Sequence, residues 1–291
     1  MTKLAERPRR GLVAALDVGT SKLCCFLSRV EEEGPRIVGI GHQISRGLRN
    51  GLIVDIEAAS QAILNTVHTA EQMAGETISE IVVNLSGGLA ASRIVKAEIA
   101  LNGREVVNGD MRRVLNQGYM LKETADREVI HSIPVGFSID GSRGIRDPRG
   151  MFGQRLGVNM SIVSANAAAV RNLAACIARC HLEIAALVVS PYAAGLAALV
   201  PDESNLGVTI IDMGGGTTTI AVFFDGNLVF TDCVPVGGIH VTNDIARGLS
   251  TPIIHAERMK TLYGSAIASA SDEREMITVP QVGEEDDGEA N

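Results

Sequence analysis

Short apolar runs that end in an aspartate, each followed by a bend of glycine and threonine, set the rhythm of this chain. The first run, residues 12–16, ends in Asp17. A polar bend leads to a second apolar run, 23–30, and a turn holding Gly34 and Pro35 leads to a third, 37–44. Runs of this length with such tight connections predict three consecutive antiparallel strands. Asp55 then caps a helix in which Ile56, Ala59, Ile63, Val67 and Ala70 recur at helical spacing, and Gly75 closes it. Residues 81–85 return as a strand.

From Ser86 to Asn159 the texture changes: charges and glycines are frequent and apolar runs are short. This reads as an inserted subdomain, with a helix over 110–118, a strand over 128–139 broken at Pro134, and a loop over 141–153. The earlier pattern resumes with a strand at 160–164, an Ala-rich helix at 166–180, a strand at 182–189 and a helix at 191–200. A further run, 208–211, ends in Asp212; strands follow at 220–224 and 228–234, joined by Asp225-Gly226-Asn227. Gly237-Gly238 opens a helix through about Leu249, and 254–263 forms another. The uncharged stretch 184–200 is short for a bilayer and contains Pro191, so a buried strand and helix account for it.

Composition narrows the classes. With 291 residues, 46% hydrophobic, the chain can bury a large core, and with no Trp and 3% aromatics that core rests on Val, Ile, Leu and Ala. A net charge of −8 argues against a nucleic-acid partner, which needs a concentrated basic surface. The basic head, with Lys3, Arg7, Arg9 and Arg10, lacks the apolar core of a secretory signal and reads as a short disordered arm. The acidic run 284–289 reads as a solvated loop. Cys24, Cys25, Cys176, Cys180 and Cys233 show no zinc-like spacing and read as reduced, buried thiols of a cytoplasmic protein.

The strongest signal is that one unit occurs twice. Asp17-Val-Gly19-Thr20-Ser21-Lys22 and Asp212-Met-Gly214-Gly215-Gly216-Thr217-Thr218 each follow a buried strand and lead into a returning strand. Glycines let backbone N–H groups approach phosphate oxygens, the hydroxyls of Thr20, Ser21, Thr217 and Thr218 add donors, and Lys22 adds positive charge. Two carboxylates, Asp17 and Asp212, would repel a polyphosphate unless a divalent cation lay between them, which favours Mg²⁺ held largely through water. Gly237-Gly238 at a helix start adds a site suited to phosphate, and Glu257 and Lys260, three apart on the next helix, could hydrogen-bond a ribose or adenine. Either turn alone is ordinary hairpin chemistry, and Glu257 with Lys260 is also a common surface ion pair. The turns join strand to strand, so they are not Rossmann or Walker loops.

This combination resembles the actin/Hsp70/hexokinase superfamily and, within it, the FtsA family of bacterial cell-division proteins. The matching text includes "ALDVGTSKLCCFLSRV", "GIGHQISRGLRNGLIVDIEAASQAI", "HSIPVGFSIDGSRGIRDPRGMFG" and "IIDMGGGTTTIAVFFDGNLVFTDCVPVGGIHVTNDIARGLSTPIIHAERMK". The resemblance implies an α/β, actin-like (ribonuclease H-like) fold of duplicated domains with an inserted α+β subdomain. The first actin-like subdomain would comprise 1–85 and 160–200, the insert 86–159, the second 201–270, and an incomplete fourth subdomain would begin at 271–291. It further implies ATP and Mg²⁺ in an interdomain cleft, a cytoplasmic protein peripheral to the inner membrane at the division site, binding to FtsZ and later division proteins, and self-association into filaments. A complete relative would carry an adenosine motif and a C-terminal amphipathic membrane helix. This sequence stops before both and reads as C-terminally truncated.

The segment that resembles the first connecting segment begins Ser190-Pro191-Tyr192-Ala193, without the Glu or Gln that would orient water, so at most slow ATP hydrolysis is expected. The alternatives are a sugar or acetate kinase on the same clamp and a pilus-assembly adaptor of similar fold. A kinase would need a further acidic group, for which Asp140 and Asp147 are the candidates in the insert, both in turn contexts.

Overall fold

The computed structural model describes residues 11–120, 124–267, 269, 274 and 276–283. The basic head and the acidic run therefore lie outside the described residues. In chain order the elements begin with β1 (Gly11–Val18), β2 (Lys22–Glu31), β3 (Gly34–Ile44), the short pair β4 (Leu48–Arg49) and β5 (Leu52–Ile53), and α1 (Ile56–Ala74). There follow β6 (Glu80–Leu85), β7 (Ala91–Ala100), α2 (Asn108–Tyr119), β8 (Arg127–Ile139), β9 (Ser142–Ile145) and β10 (Arg155–Asn166). The remainder is α3 (Ala167–Arg179), β11 (Glu183–Val189), α4 (Ser190–Ala198), α5 (Pro201–Leu206), β12 (Val208–Met213), β13 (Thr218–Phe224), β14 (Asn227–Val234), α6 (Gly238–Leu249) and α7 (Ile253–Tyr263). Two compact units result, Met1–Pro235 and Val236–Asn291.

In the first unit a five-stranded sheet runs in the order β11-β6-β1-β2-β3. The first three strands in sequence are antiparallel neighbours, and β6 and β11 add in parallel beside β1. Alternation decides the faces: Ala14, Leu16 and Val18 on β1 and Leu23, Cys25 and Leu27 on β2 point into the core. Helix α1 covers that face with Ala59, Ile63, Thr66, Val67 and Ala70. Asp55 caps it by accepting the Ala58 N–H at 3.0 Å, and Gly75 ends it in the left-handed conformation. The helix lies so close to β3 that a Cβ on Gly41 would stand 1.8 Å from the Thr66 carbonyl oxygen, and one on Gly39 2.2 Å from that of Ala70.

A second sheet, β7-β10-β8-β9, is antiparallel and carries α2 on one face. Its own core gathers Leu101, Val114, Leu156, Val158, Met160 and Ile162. At its edge Asp110, buried on α2, accepts from both terminal nitrogens of Arg104 and from the Val107 N–H. Two expectations are corrected here. Pro134 does not break β8: between the pairs Met160–Pro134 and Asn159–Gly136 the register slips by one residue, and this bulge accommodates the proline, which has no N–H to give the ladder. The segment 141–153 is not wholly loop, because β9 pairs back on β8 across the turn at Asp140-Gly141.

A third sheet, β12-β13-β14, repeats the antiparallel plan of β1-β2-β3. It joins the main core through Ala221, Phe223 and Leu228 and meets the second sheet where the Ser92 hydroxyl accepts the Thr231 N–H at 2.8 Å. His131 on β8 accepts the Val189 N–H through Nε2 at 3.1 Å and meets Tyr192 of α4 edge-on; Tyr192 in turn stacks on Phe223. Burial pushes the His131 pKa down to about 4. Four of the five cysteines are buried and all are unpaired, with Cys25 pushed up to about 12 and Cys180 and Cys233 to about 11 by burial. Inert thiols follow from that environment.

In the second unit Lys260 ties α7 to α6: its Nζ donates to Glu257 at 2.7 Å, to the Thr242 hydroxyl at 2.9 Å and to the Gly238 carbonyl at 3.3 Å. The Val282 N–H closes a return onto the Ser250 carbonyl at 2.9 Å.

Two measurements test this packing. Gly41→Ala should lower stability by about 1–3 kcal/mol, read from denaturant unfolding, because a methyl would collide with helix backbone that cannot rotate away. Lowering pH should cost stability through His131. Its folded pKa lies below the unfolded value, so its contribution is complete above about pH 6.5 and drains away as pH falls towards 4. His131→Gln should flatten that slope, by on the order of 3 kcal/mol between neutral pH and pH 4 at most.

Candidate functional site

The two aspartate–glycine bends close in the same way. The Gly19 N–H donates to the Lys22 carbonyl at 3.1 Å, and the Gly214 N–H donates to the Thr217 carbonyl at 2.8 Å. Each bend thus spends its first glycine N–H internally, while the residues between are held at the rim. In the fold the bends touch. A Cβ on Gly215 would stand 1.9 Å from the Ser21 Oγ, and one on Gly216 2.7 Å from the Thr20 Oγ1. A side chain at either position would displace the Ser21 or Thr20 side chain of the first bend, so close approach rather than a special φ favours glycine here.

Asp17 and Asp212 stand at the ends of β1 and β12. They are near enough to sense one another. Crowding by protein pushes the Asp17 carboxyl pKa up, the Asn84 amide opposes this, the Asp212 carboxylate raises it further, and Lys22 lowers it. Two carboxylates with one ammonium leave an excess of negative charge, a hard-oxygen donor pair suited to Mg²⁺. Among the described residues no group of three or more His, Cys, Asp or Glu side chains gathers as a metal cluster. A divalent ion held by these two carboxylates would keep most of its water.

Three contributors escaped the sequence reading. Asn84, at the end of β6, accepts the Val18 N–H at 2.6 Å and donates to both the Asp17 carboxylate and, at 3.0 Å, the Ser190 hydroxyl. It fixes the first bend to the start of α4. The signal was an Asn inside an otherwise apolar strand. Ser190 itself is the second. The third is the β4–β5 hairpin, whose Asn50-Gly51 tip reaches the Thr20 Oγ1 with a 2.9 Å bond from the Gly51 N–H. An Asn-Gly pair is a hairpin signal, but nothing local to it tells where the tip points.

Within the first unit the structure sets Thr20 and Ser21 against Gly216 and Gly215 and puts Asp17 within electrostatic reach of Asp212; Gly19 and Lys22 close the first bend, and Gly214, Thr217 and Thr218 belong to the second bend. Gly237, Gly238, Glu257 and Lys260 belong to the second unit. There Gly237 caps α6, with its N–H engaged by the His240 ring at 3.1 Å, and Gly238 begins the helix. The Glu257 carboxyl is held below the usual range, chiefly by Lys260 and then by Thr242. Asp140 and Asp147, the acids considered for a kinase, are both engaged in structural bonds. Asp140 accepts from the Gln154 and Arg155 backbone N–H groups, and Asp147 grips Arg149. No helix among the described residues is long and apolar enough to cross a membrane.

Known proteins supply the remaining context. A family model described as cell division protein FtsA matches residues 209–291, and one described as the SHS2 domain inserted in FtsA matches residues 87–164. Cell division protein FtsA of Agrobacterium fabrum is 47% identical over 289 residues, covering 96% of this chain and 65% of that protein. The FtsA of Borreliella burgdorferi is 35% identical over 278 residues, covering 94% of this chain and 67% of that one. This chain thus spans about two thirds of the length of these curated relatives. Among solved structures, the PilM–PilN type IV pilus biogenesis complex matches with a TM-score of 0.63 at 18% identity, over 88% of this chain and 70% of the other, which speaks for the fold alone. With the topology above, the fold is actin-like α/β with an inserted SHS2 domain. On identity sustained along nearly its whole length, the chain belongs to the FtsA family of cell-division proteins.

Proposed function

We propose that the paired bends bind the phosphates of ATP with Mg²⁺, and that the chain is the nucleotide-responsive part of a cell-division adaptor. The observation that carries this is the contact of two bends, far apart in sequence, closed by the same glycine N–H bond and bringing two aspartates into electrostatic reach. Thr20, Ser21, Thr217 and Thr218 would supply hydroxyl donors and Lys22 a counter-charge. Asp17 and Asp212 would hold the ion through its waters. The ion neutralises phosphate charge when bound. Because the bends touch in the described structure, loading requires the hairpin β12–β13 to draw back from β1–β2. Gly237, Gly238, Glu257 and Lys260, all within the second unit, are further candidates for nucleotide contact, and there Glu257 and Lys260 bond each other and Thr242.

Hydrolysis would be slow. The start of α4 offers no acid or amide to orient water, and the Ser190 hydroxyl is engaged by Asn84. Family membership supports the wider role: linking FtsZ filaments to the cytoplasmic membrane, recruiting later division proteins and self-association into filaments, tasks of the complete protein.

A fluorescent ATP analogue should bind in a Mg²⁺-dependent way, and Asp212→Asn should weaken binding about tenfold or more with little change in melting temperature, since the carboxylate acts on a ligand charge rather than on packing. Absence of Mg²⁺-dependent binding by the wild-type chain would sink the reading. Phosphate release should stay far below the roughly 10 per second typical of enzymes; a rate in that range would mean a general base not identified among these residues. Co-sedimentation of a full-length relative with FtsZ on vesicles checks the adaptor role.

A further inference from the structure

The β4–β5 hairpin has no assigned task, yet its tip is wedged where both bends meet. Asn50 and Gly51 are consecutive residues with positive φ, 51° and 71°, in a two-residue hairpin that pairs Arg49 with Leu52. That is the backbone of a type I′ turn, the form in which an Asn-Gly pair costs least. The tip is seated from three sides. The Gly51 N–H donates to the Thr20 Oγ1 of the first bend at 2.9 Å. A Cβ on Gly51 would stand 2.9 Å from the Thr217 Cγ2 of the second bend and 2.7 Å from the Gly87 Cα. A Cβ on Gly216 would stand 3.0 Å from the Asn50 Cα. Behind the tip, the Val54 and Asp55 N–H groups both donate to the Gly47 carbonyl, which fixes the hairpin to the start of α1.

We propose that the Asn50-Gly51 tip is a third phosphate-handling loop, a positioning element that orients the Thr20 hydroxyl and spaces the second bend; this rests on the nucleotide reading above. A hydroxyl that accepts a bond from one direction keeps its own hydrogen to donate in another. The Gly51 N–H occupies the acceptor side of Thr20, so the Thr20 hydrogen is turned towards whatever anion enters between the bends, and the accepted bond strengthens the donated one. The tip also touches Thr217, so it registers the separation of the two hairpins. When a phosphate chain enters and β12–β13 withdraws, the contacts of Gly216 with Asn50 and of Thr217 with Gly51 must loosen while the Thr20 bond persists.

The test uses the full chain and the same fluorescent ATP analogue with Mg²⁺. Gly51→Ala, which has neither the φ nor the room, should weaken binding about tenfold while circular dichroism stays that of the wild type. Combined with Thr20→Val it should lose less than the two single losses multiplied together, because the tip acts in part through that hydroxyl, and fully independent losses overturn the role. Should Gly51→Ala fail to fold, amide exchange on the unaltered chain decides: saturation with the magnesium–nucleotide should change the Gly51 exchange rate, and an unchanged rate overturns the role. A folded Gly51→Ala with wild-type affinity overturns the role while leaving the nucleotide reading intact. A wild-type chain that takes up no nucleotide removes both.

Discussion

Contact between Ser21 and Gly215, and between Thr20 and Gly216, is the constraint around which the rest of the first unit is arranged. Here two hairpins from different sheets meet at van der Waals distance, small hydroxyl side chains on one side facing glycines on the other. Everything that presents these bends has to be stiff. The first is braced by Asn84, which links the Val18 N–H, the Asp17 carboxylate and the Ser190 hydroxyl through one amide. The second is carried on a sheet whose inner face, Ala221 and Phe223, is anchored in the main core. Side-chain amides at a strand end serve well in such a place, because both the donor and the acceptor face are spent and no net charge is added to a site already acidic.

How much of this could be read from the chain depends on the range of the interaction that decides it. The three opening strands, α1 with its Asp55 and Gly75 caps, and the repeated aspartate–glycine bends are settled by neighbours a few residues away, and they are where the periodicity puts them. Pro134 misled because its local effect, a missing N–H, is absorbed by a bulge that only the partner strand β10 reveals. The strand β9 was hidden because its residues, Ser142 to Ile145, have turn-like chemistry and become a strand by pairing with β8.

The site divides in the same way. Gly215 and Gly216 stand out as a cluster, but their reason, the approach of Ser21 and Thr20, is a tertiary fact. Asn84 is a single polar residue in an apolar strand, and Asn50-Gly51 an ordinary turn signal, until the fold sets them against the first bend. The internal repeat pointed to a pairing of the two bends; the geometry added their contact and the groups that hold each bend in place.

Strands β8 and β10 are each shared between two interiors: Ile130 and Val163 lie in the main core, whereas Ile139, Leu156, Val158 and Met160 lie in the insert's own. An appendage hung on a loop could sway independently. These two strands pass from one interior into the other, bent between them at the Pro134–Gly136 bulge, so the insert shares its backbone with the strand that carries His131.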